Sequence, residues 1–184
     1  MVSALACLVI MQPSPVAAKI LDGAKRQLRN PAQYTGAYYK IPYPNGDVPA
    51  DRGACTDVIV RALRHAGYDL QKLIHEDSKR VTYPRIGAKR DRNIDHRRVP
   101  NQRKYFERFG TSHTLKAGAA DLAAWKPGDF VLWKLDNGLD HIGIISDRRT
   151  AQRVPYVIHN IWQTAEEDVL TKWKIVGHFR FPKG

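Results

Sequence analysis

Three side chains in this sequence are of types that can combine into covalent chemistry: the thiol of Cys55 and the imidazoles of His141 and His159. Cys55 opens the run Cys-Thr-Asp-Val-Ile-Val-Arg-Ala-Leu, in which Val58, Ile59, Ala62, Leu63 and Ala66 recur at helical spacing and Gly67 supplies a stop. The spacing predicts a helix with Cys55 at its N-terminus. Unpaired backbone N–H groups and the positive end of the helix dipole favour a thiolate there, so the expected thiol pKa lies below the free-cysteine value of roughly 8.5. The alternative for Cys55 alone is a buried free cysteine packing as a small hydrophobe. His141 begins the strand pattern His-Ile-Gly-Ile-Ile, and His159 lies in Tyr-Val-Ile-His-Asn-Ile. If residues 147–155 join these strands as a hairpin, His141 faces Asn160 or a neighbour of it. Adjacent strand residues point to opposite faces, so one of His159 and Asn160 turns toward His141, and His159 is the choice. Each histidine alone reads as an ordinary strand residue. Together with the cysteine they form a nucleophile, a base and an orienter of the base.

The elements that must position these groups follow a simple order. A short helix is expected over Ile20–Leu28, ended by Asn30-Pro31, and a Tyr-, Pro- and Gly-rich loop then runs from Tyr34 to Arg52. After the cysteine helix, Asp69 can cap a second helix through Leu70, Leu73 and Ile74. Residues 78–98 are basic and poor in apolar side chains, so they read as a surface excursion. Pro100 starts another helix carrying Tyr105, Phe106 and Phe109, stopped at Gly110. From Trp125 the period changes to that of strands: Phe130–Leu135, His141–Ser146, Tyr156–Ile161 and Ile175–Phe181, with Ala165–Trp173 left as a helical turn or loop. Short connections argue for an antiparallel sheet, and helices before sheet make the fold α+β.

With 184 residues and 43% hydrophobic content the chain suits one domain. Lys and Arg outnumber acids by 30 to 18, a net charge of +12 that fits an anionic partner. No zinc-finger spacing, RNA-recognition signature or heptad zipper accompanies the charge, so an envelope polymer is expected rather than nucleic acid. Val2–Met11 form an apolar run resembling a signal-peptide core, far short of the ~20 residues that span a bilayer. Val16-Ala17-Ala18 then offers a cleavage site before Lys19, so residues 1–18 are expected to be a signal peptide and 19–184 the exported domain. Cleavage would remove Cys7 and leave Cys55 as the only thiol, unable to form an internal disulfide.

Cys55-Thr-Asp-Val, Trp125-Lys-Pro-Gly-Asp-Phe-Val-Leu-Trp133, His141-Ile-Gly-Ile-Ile-Ser and Val157-Ile-His159 fall in the order seen in NlpC-type, papain-like cell-wall peptidases, which this chain resembles. His75-Glu-Asp77 and Asn93-Ile-Asp-His-Arg-Arg-Val-Pro-Asn101 are more closely similar to an uncharacterised family of exported bacterial proteins related to that class. The NlpC-type resemblance implies that Cys55 is the nucleophile, His141 the general base and His159 the third residue. It implies a papain-like α+β fold, and it places Tyr43 near the thiol. In place of the usual Asp before and Ser-Gly after the cysteine, this chain has Ala54 and Thr56-Asp57, so Asp51 is the candidate to replace the missing acid.

Arg97 and Arg98 beside Asp95 and His96 suggest a fork for carboxylates such as those of stem peptides. His75-Glu76-Asp77 and Asp95-His96 hold metal-ligand types without metal-site spacing, and neither a metal nor a cofactor is expected. The reading that follows is an exported cysteine peptidase or amidase acting on peptidoglycan stem peptides, with Tyr43, Asp51, Asp95, His96 and Arg97 binding substrate. A thiol acyltransferase of the same fold and a catalytically silent basic module holding anionic polymer are the alternatives.

Overall fold

The computed structural model describes residues 14–183. The apolar run Val2–Met11 and Cys7 lie outside the described residues. Helix α1 (Pro15–Arg26) starts earlier than the apolar spacing suggested, because Ser14 accepts the Ala17 N–H at 3.2 Å and Pro15 occupies the first turn. The expected cleavage point after Ala18 therefore falls inside a packed helix, in which Ala17 and Ile20 are buried. Two short strands, β1 (Gln33–Tyr34) and β2 (Arg52–Gly53), pair in parallel and lead into α2 (Cys55–His65). Gly23 lets α1 lie close on α2, since a Cβ there would meet His65 Cβ at 2.7 Å. Asp69 caps α3 (Leu70–Asp77) as expected, through the Lys72 N–H at 3.2 Å. Helix α4 (Val99–Phe109) carries Pro100 in its first turn and ends at Gly110.

Strands β3 (Thr111–Ser112), β4 (Phe130–Lys134), β5 (Asp140–Arg149), β6 (Pro155–Asn160), β7 (Thr164–Glu167) and β8 (Lys174–Arg180) form one antiparallel sheet in the order β3-β8-β4-β5-β6-β7. The α+β class and the antiparallel sheet are as expected. The first residues of Ala165–Trp173, expected as a helical turn or loop, instead belong to the edge strand Thr164–Glu167 on β6.

Both faces of the sheet are buried, which explains why its central strands read as nearly continuous apolar runs. Phe130, Leu132, Ile142, Ile144 and Ile158 pack with Ile59, Leu63 and Phe106 under the helices. Val131, Trp133, Ile145 and Val157 pack with Leu122, Trp125 and Leu170 on the other side. The basic excursion does not stay at the surface: its end, Asp95–Arg97, is a buried 3-10 turn against α2. Among the described residues no helix is long and apolar enough to cross a membrane.

Candidate active site

Cys55 is the first residue of α2, as the spacing predicts, and is 7% exposed. Backbone N–H groups of Ile142, Thr56 and Cys55 itself approach the sulfur. They do not depress its pKa below the usual value as expected. Burial dominates and pushes the thiol up to about 12, with the Asp57 carboxylate adding in the same direction. At rest the sulfur is a neutral thiol. It faces a cleft of about 710 Å³ whose wall also holds His141.

Ile144 pairs with Ile158, so the same register continued puts Gly143 across from His159 and His141 across from Ile161, a neighbour of Asn160 as the hairpin expectation required. His141 and His159 thus share a face, and His141 Nε2 lies 2.9 Å from His159 Nδ1. Gly143 makes room for the pair: a Cβ there would sit 2.6 Å from Val157 Cγ1 and 3.2 Å from His159 Cβ. Trp133 and Trp173 wall the two rings, their centroids 5.6 and 5.9 Å from that of His141. Burial, then the neighbouring His159, lowers the His141 pKa to about 3. Burial also lowers that of His159, opposed by Glu167.

Glu167 Oε2 stands 2.9 Å from His159 Nε2, at ion-pair distance but without the alignment of a hydrogen bond. A carboxylate there favours the proton on His159 Nε2, so Nδ1 accepts from His141 Nε2–H. His141 Nδ1, which has no hydrogen-bond partner among the described residues, is left as a lone pair. No hydrogen bond joins Sγ to His141 in this resting arrangement among the described residues.

Asn160 does other work. Its Nδ2 donates to the carbonyls of Ala32 at 2.9 Å and Gly53 at 3.3 Å, tying β6 to the segment that precedes the cysteine.

The substrate-binding expectations fare differently. Arg97 is buried in a bidentate ion pair with Asp57, at 2.7 and 2.9 Å, and its carbonyl accepts from Thr56 Oγ1 at 3.1 Å. The carboxylate fork of Arg97 with Arg98 is thereby corrected, since the Arg97 guanidinium is already occupied. Asp95 and His96 are buried and do not line the cleft. Tyr43 lies elsewhere, bonded to Glu76 at 3.2 Å beneath the Arg92 guanidinium. Asp51 is exposed and beside Arg52; the acid at the head of α2 is Asp57, which accepts the Ala54 N–H at 2.7 Å. The carboxylates of His75-Glu76-Asp77 are taken by Lys79, Tyr83 and Arg108. Arg98, the other half of the expected fork, does line the cleft; what the sequence reading missed is Tyr34 and Arg85 beside it, with Glu167 behind the histidines. Trp162 is on the cleft wall and 82% exposed.

Comparison with known proteins adds two findings. The chain is 48% identical over 167 residues to "Uncharacterized protein YijF" of Escherichia coli (strain K12), covering 88% of this chain and 80% of that one. Residues 21–181, from α1 through the last strand of the sheet, match the family model described as "Domain of unknown function (DUF1287)", and the chain belongs to that family.

Proposed function

We propose that this protein is an exported, papain-like thiol hydrolase that cleaves amide bonds in peptidoglycan stem peptides. The observation carrying the reading is that Cys55, at a helix N-terminus, shares one cleft with His141, whose far nitrogen is held 2.9 Å from His159. The resemblance to NlpC-type peptidases supplies the bond and substrate class, and the apolar run Val2–Met11 supplies export.

Neither reacting group charges easily alone. The thiol is held up by burial and the imidazole held down by it, so the proton passes from Sγ to His141 Nδ1 as the sulfur attacks the substrate carbonyl carbon. Transfer within the shared cleft creates the two opposite charges together, which offsets the cost of creating either alone in a dry site. Backbone N–H groups around the sulfur are the donors available to the developing oxyanion. His141 returns the proton to the departing amine and leaves a thioester on Cys55. Water, deprotonated by the same nitrogen, attacks the thioester, releases a carboxylate and restores the thiol. His159 and Glu167 are positioning residues that keep Nδ1 unprotonated at rest.

Soluble peptidoglycan fragments incubated in isotope-labelled water with wild-type protein and with Cys55→Ala test this reading. The expected result is a new peptide carboxyl bearing the label, formed by wild type alone. Identical products from both proteins, or none from either, would overturn it. A product joined to an amine instead of a labelled oxygen would move the assignment to the acyltransferase alternative. The silent-module alternative draws on the neutral thiol and the missing Sγ–His141 hydrogen bond, and it requires fragments that are bound but intact.

A further inference from the structure

Most arginines with a clear structural role here have found an acid or a carbonyl: Arg61 and Arg64 bind Asp47, Arg97 binds Asp57, Arg108 binds Asp77 and Arg180 binds Asp129. Arg85 and Arg98 have not. Both are exposed, both line the cleft that holds Cys55 and His141, and neither guanidinium makes an ion pair or hydrogen bond among the described residues. The one carboxylate on the cleft wall, Asp140, is already paired with Lys134 at 2.5 Å. The cleft therefore carries two guanidinium groups without an ion-pair partner among the described residues.

Their backbones are held while their side chains are free. The Arg98 peptide follows the Arg97 carbonyl, which is bonded to Thr56, the residue after the cysteine. The N–H of Arg85 is bonded to Asn101 Oδ1 at 2.9 Å, on the first turn of α4, and Asn101 in turn donates to the Asp95 carbonyl. A guanidinium mounted on a fixed backbone and left unpaired in a cleft suits a planar, two-oxygen anion, because its fork of donors matches a carboxylate in two parallel hydrogen bonds.

We propose that Arg85 and Arg98 are specificity-determining residues that bind a free carboxylate of the substrate beside the scissile amide. The class of substrate is thus an acidic peptide, and a peptide whose carboxyl groups are amidated is rejected. This inference rests on Cys55 marking the reacting centre, and it deepens the hydrolase reading.

The test is calorimetric binding to Cys55→Ala protein, which separates recognition from turnover. The probes are the peptide alanyl-γ-glutamyl-lysyl-alanine with free carboxyl groups and the same peptide with every carboxyl amidated. Amidation should weaken binding at least ~10-fold, the effect of losing a charge-assisted pair. Arg85→Gln with Arg98→Gln should weaken the acidic peptide by a similar factor and leave the amidated one unchanged. Both side chains lack partners among the described residues, so the melting temperature should not move. Equal affinity for the two peptides, no measurable binding of the acidic one, or indifference to the double substitution would overturn the proposal. If the acidic peptide binds through the arginines but wild type does not cleave it, the hydrolase reading alone fails.

Discussion

His159 and Asn160 are adjacent, yet the fold gives them unrelated tasks. Strand alternation sends His159 to His141 and sends Asn160 under the segment before Cys55. Replacing His159 with Ala should lower turnover by about a hundredfold or more without abolishing it, the range general-base assistance spans. Replacing Asn160 with Ala should instead cost about 1 kcal/mol of stability, the worth of the lost side-chain hydrogen bonds, because the Ala32 and Gly53 carbonyls keep the N–H groups of Thr164 and Thr35, with turnover per folded molecule kept. Kinetics paired with thermal melts distinguish the two; a crippled but stable Asn160→Ala would pass the orienting role to Asn160. At Cys55, burial outweighs the helix-end N–H groups, so alkylation near pH 7 should be slower than for a free thiol. It should accelerate with pH, because the thiolate becomes populated only toward the pKa of about 12. Labelling at neutral pH as fast as that of a low-pKa thiolate would contradict the neutral resting thiol. The position of Cys55 at the helix start was legible from spacing alone. The sign of its pKa shift was not, because burial depends on strand β5 lying across the thiol.

At the scale of elements, the head of α2 is fixed by a strap remote in sequence. Asp57 and Arg97 are each 3% exposed at the side chain, Gln102 on α4 donates to the carbonyls of Thr56 and His96, and the strap closes the cleft wall beside Cys55. Removing one partner of a buried pair leaves an uncompensated charge. Asp57→Ala or Arg97→Ala should therefore each destabilise the protein by about 3–5 kcal/mol, measured by urea unfolding. A loss below about 1 kcal/mol, the worth of an exposed pair, would show that the strap carries little. Sequence patterns exposed the helices with apolar periodicity and clear stops, such as Val99–Phe109 between Pro100 and Gly110. They hid Asp95–Arg97, whose charged composition reads as surface because its partner Asp57 lies 40 residues away. They also hid β7: Thr164–Glu167 is a short edge strand with no apolar alternation, so its order comes from pairing with β6, and Glu167 went unseen with it. The start of α1 was readable in Ser14-Pro15, a cap and a first-turn proline, but both fall within the expected signal peptide of residues 1–18.

The whole molecule hides several ionisable groups that prefer to be neutral, and its stability should follow. Burial lowers His96 to about 4 and His141 to about 3 from an ordinary 6.5. Folded protein then binds fewer protons than unfolded chain in acid, so stability is intact above pH 6.5 and lost as pH falls through 6.5 toward those values. For His96 the full loss is about 3 kcal/mol. Melting temperatures from pH 7 to 4 should fall, and the fall should be shallower in His96→Leu; an unchanged slope would remove His96 from the acid response. That dry interior is also what makes the thiol and imidazole depend on each other for chemistry, and the acyl-enzyme is the species they would make together. The most direct test is intact-protein mass spectrometry after rapid acid quench of wild type with soluble peptidoglycan peptides. The expected result is a protein adduct with the mass of the acyl fragment, mapped to Cys55, released by hydroxylamine and missing from Cys55→Ala. No adduct on a wild-type protein that still turns substrate over, or the same adduct on Cys55→Ala, would contradict Cys55 as the nucleophile.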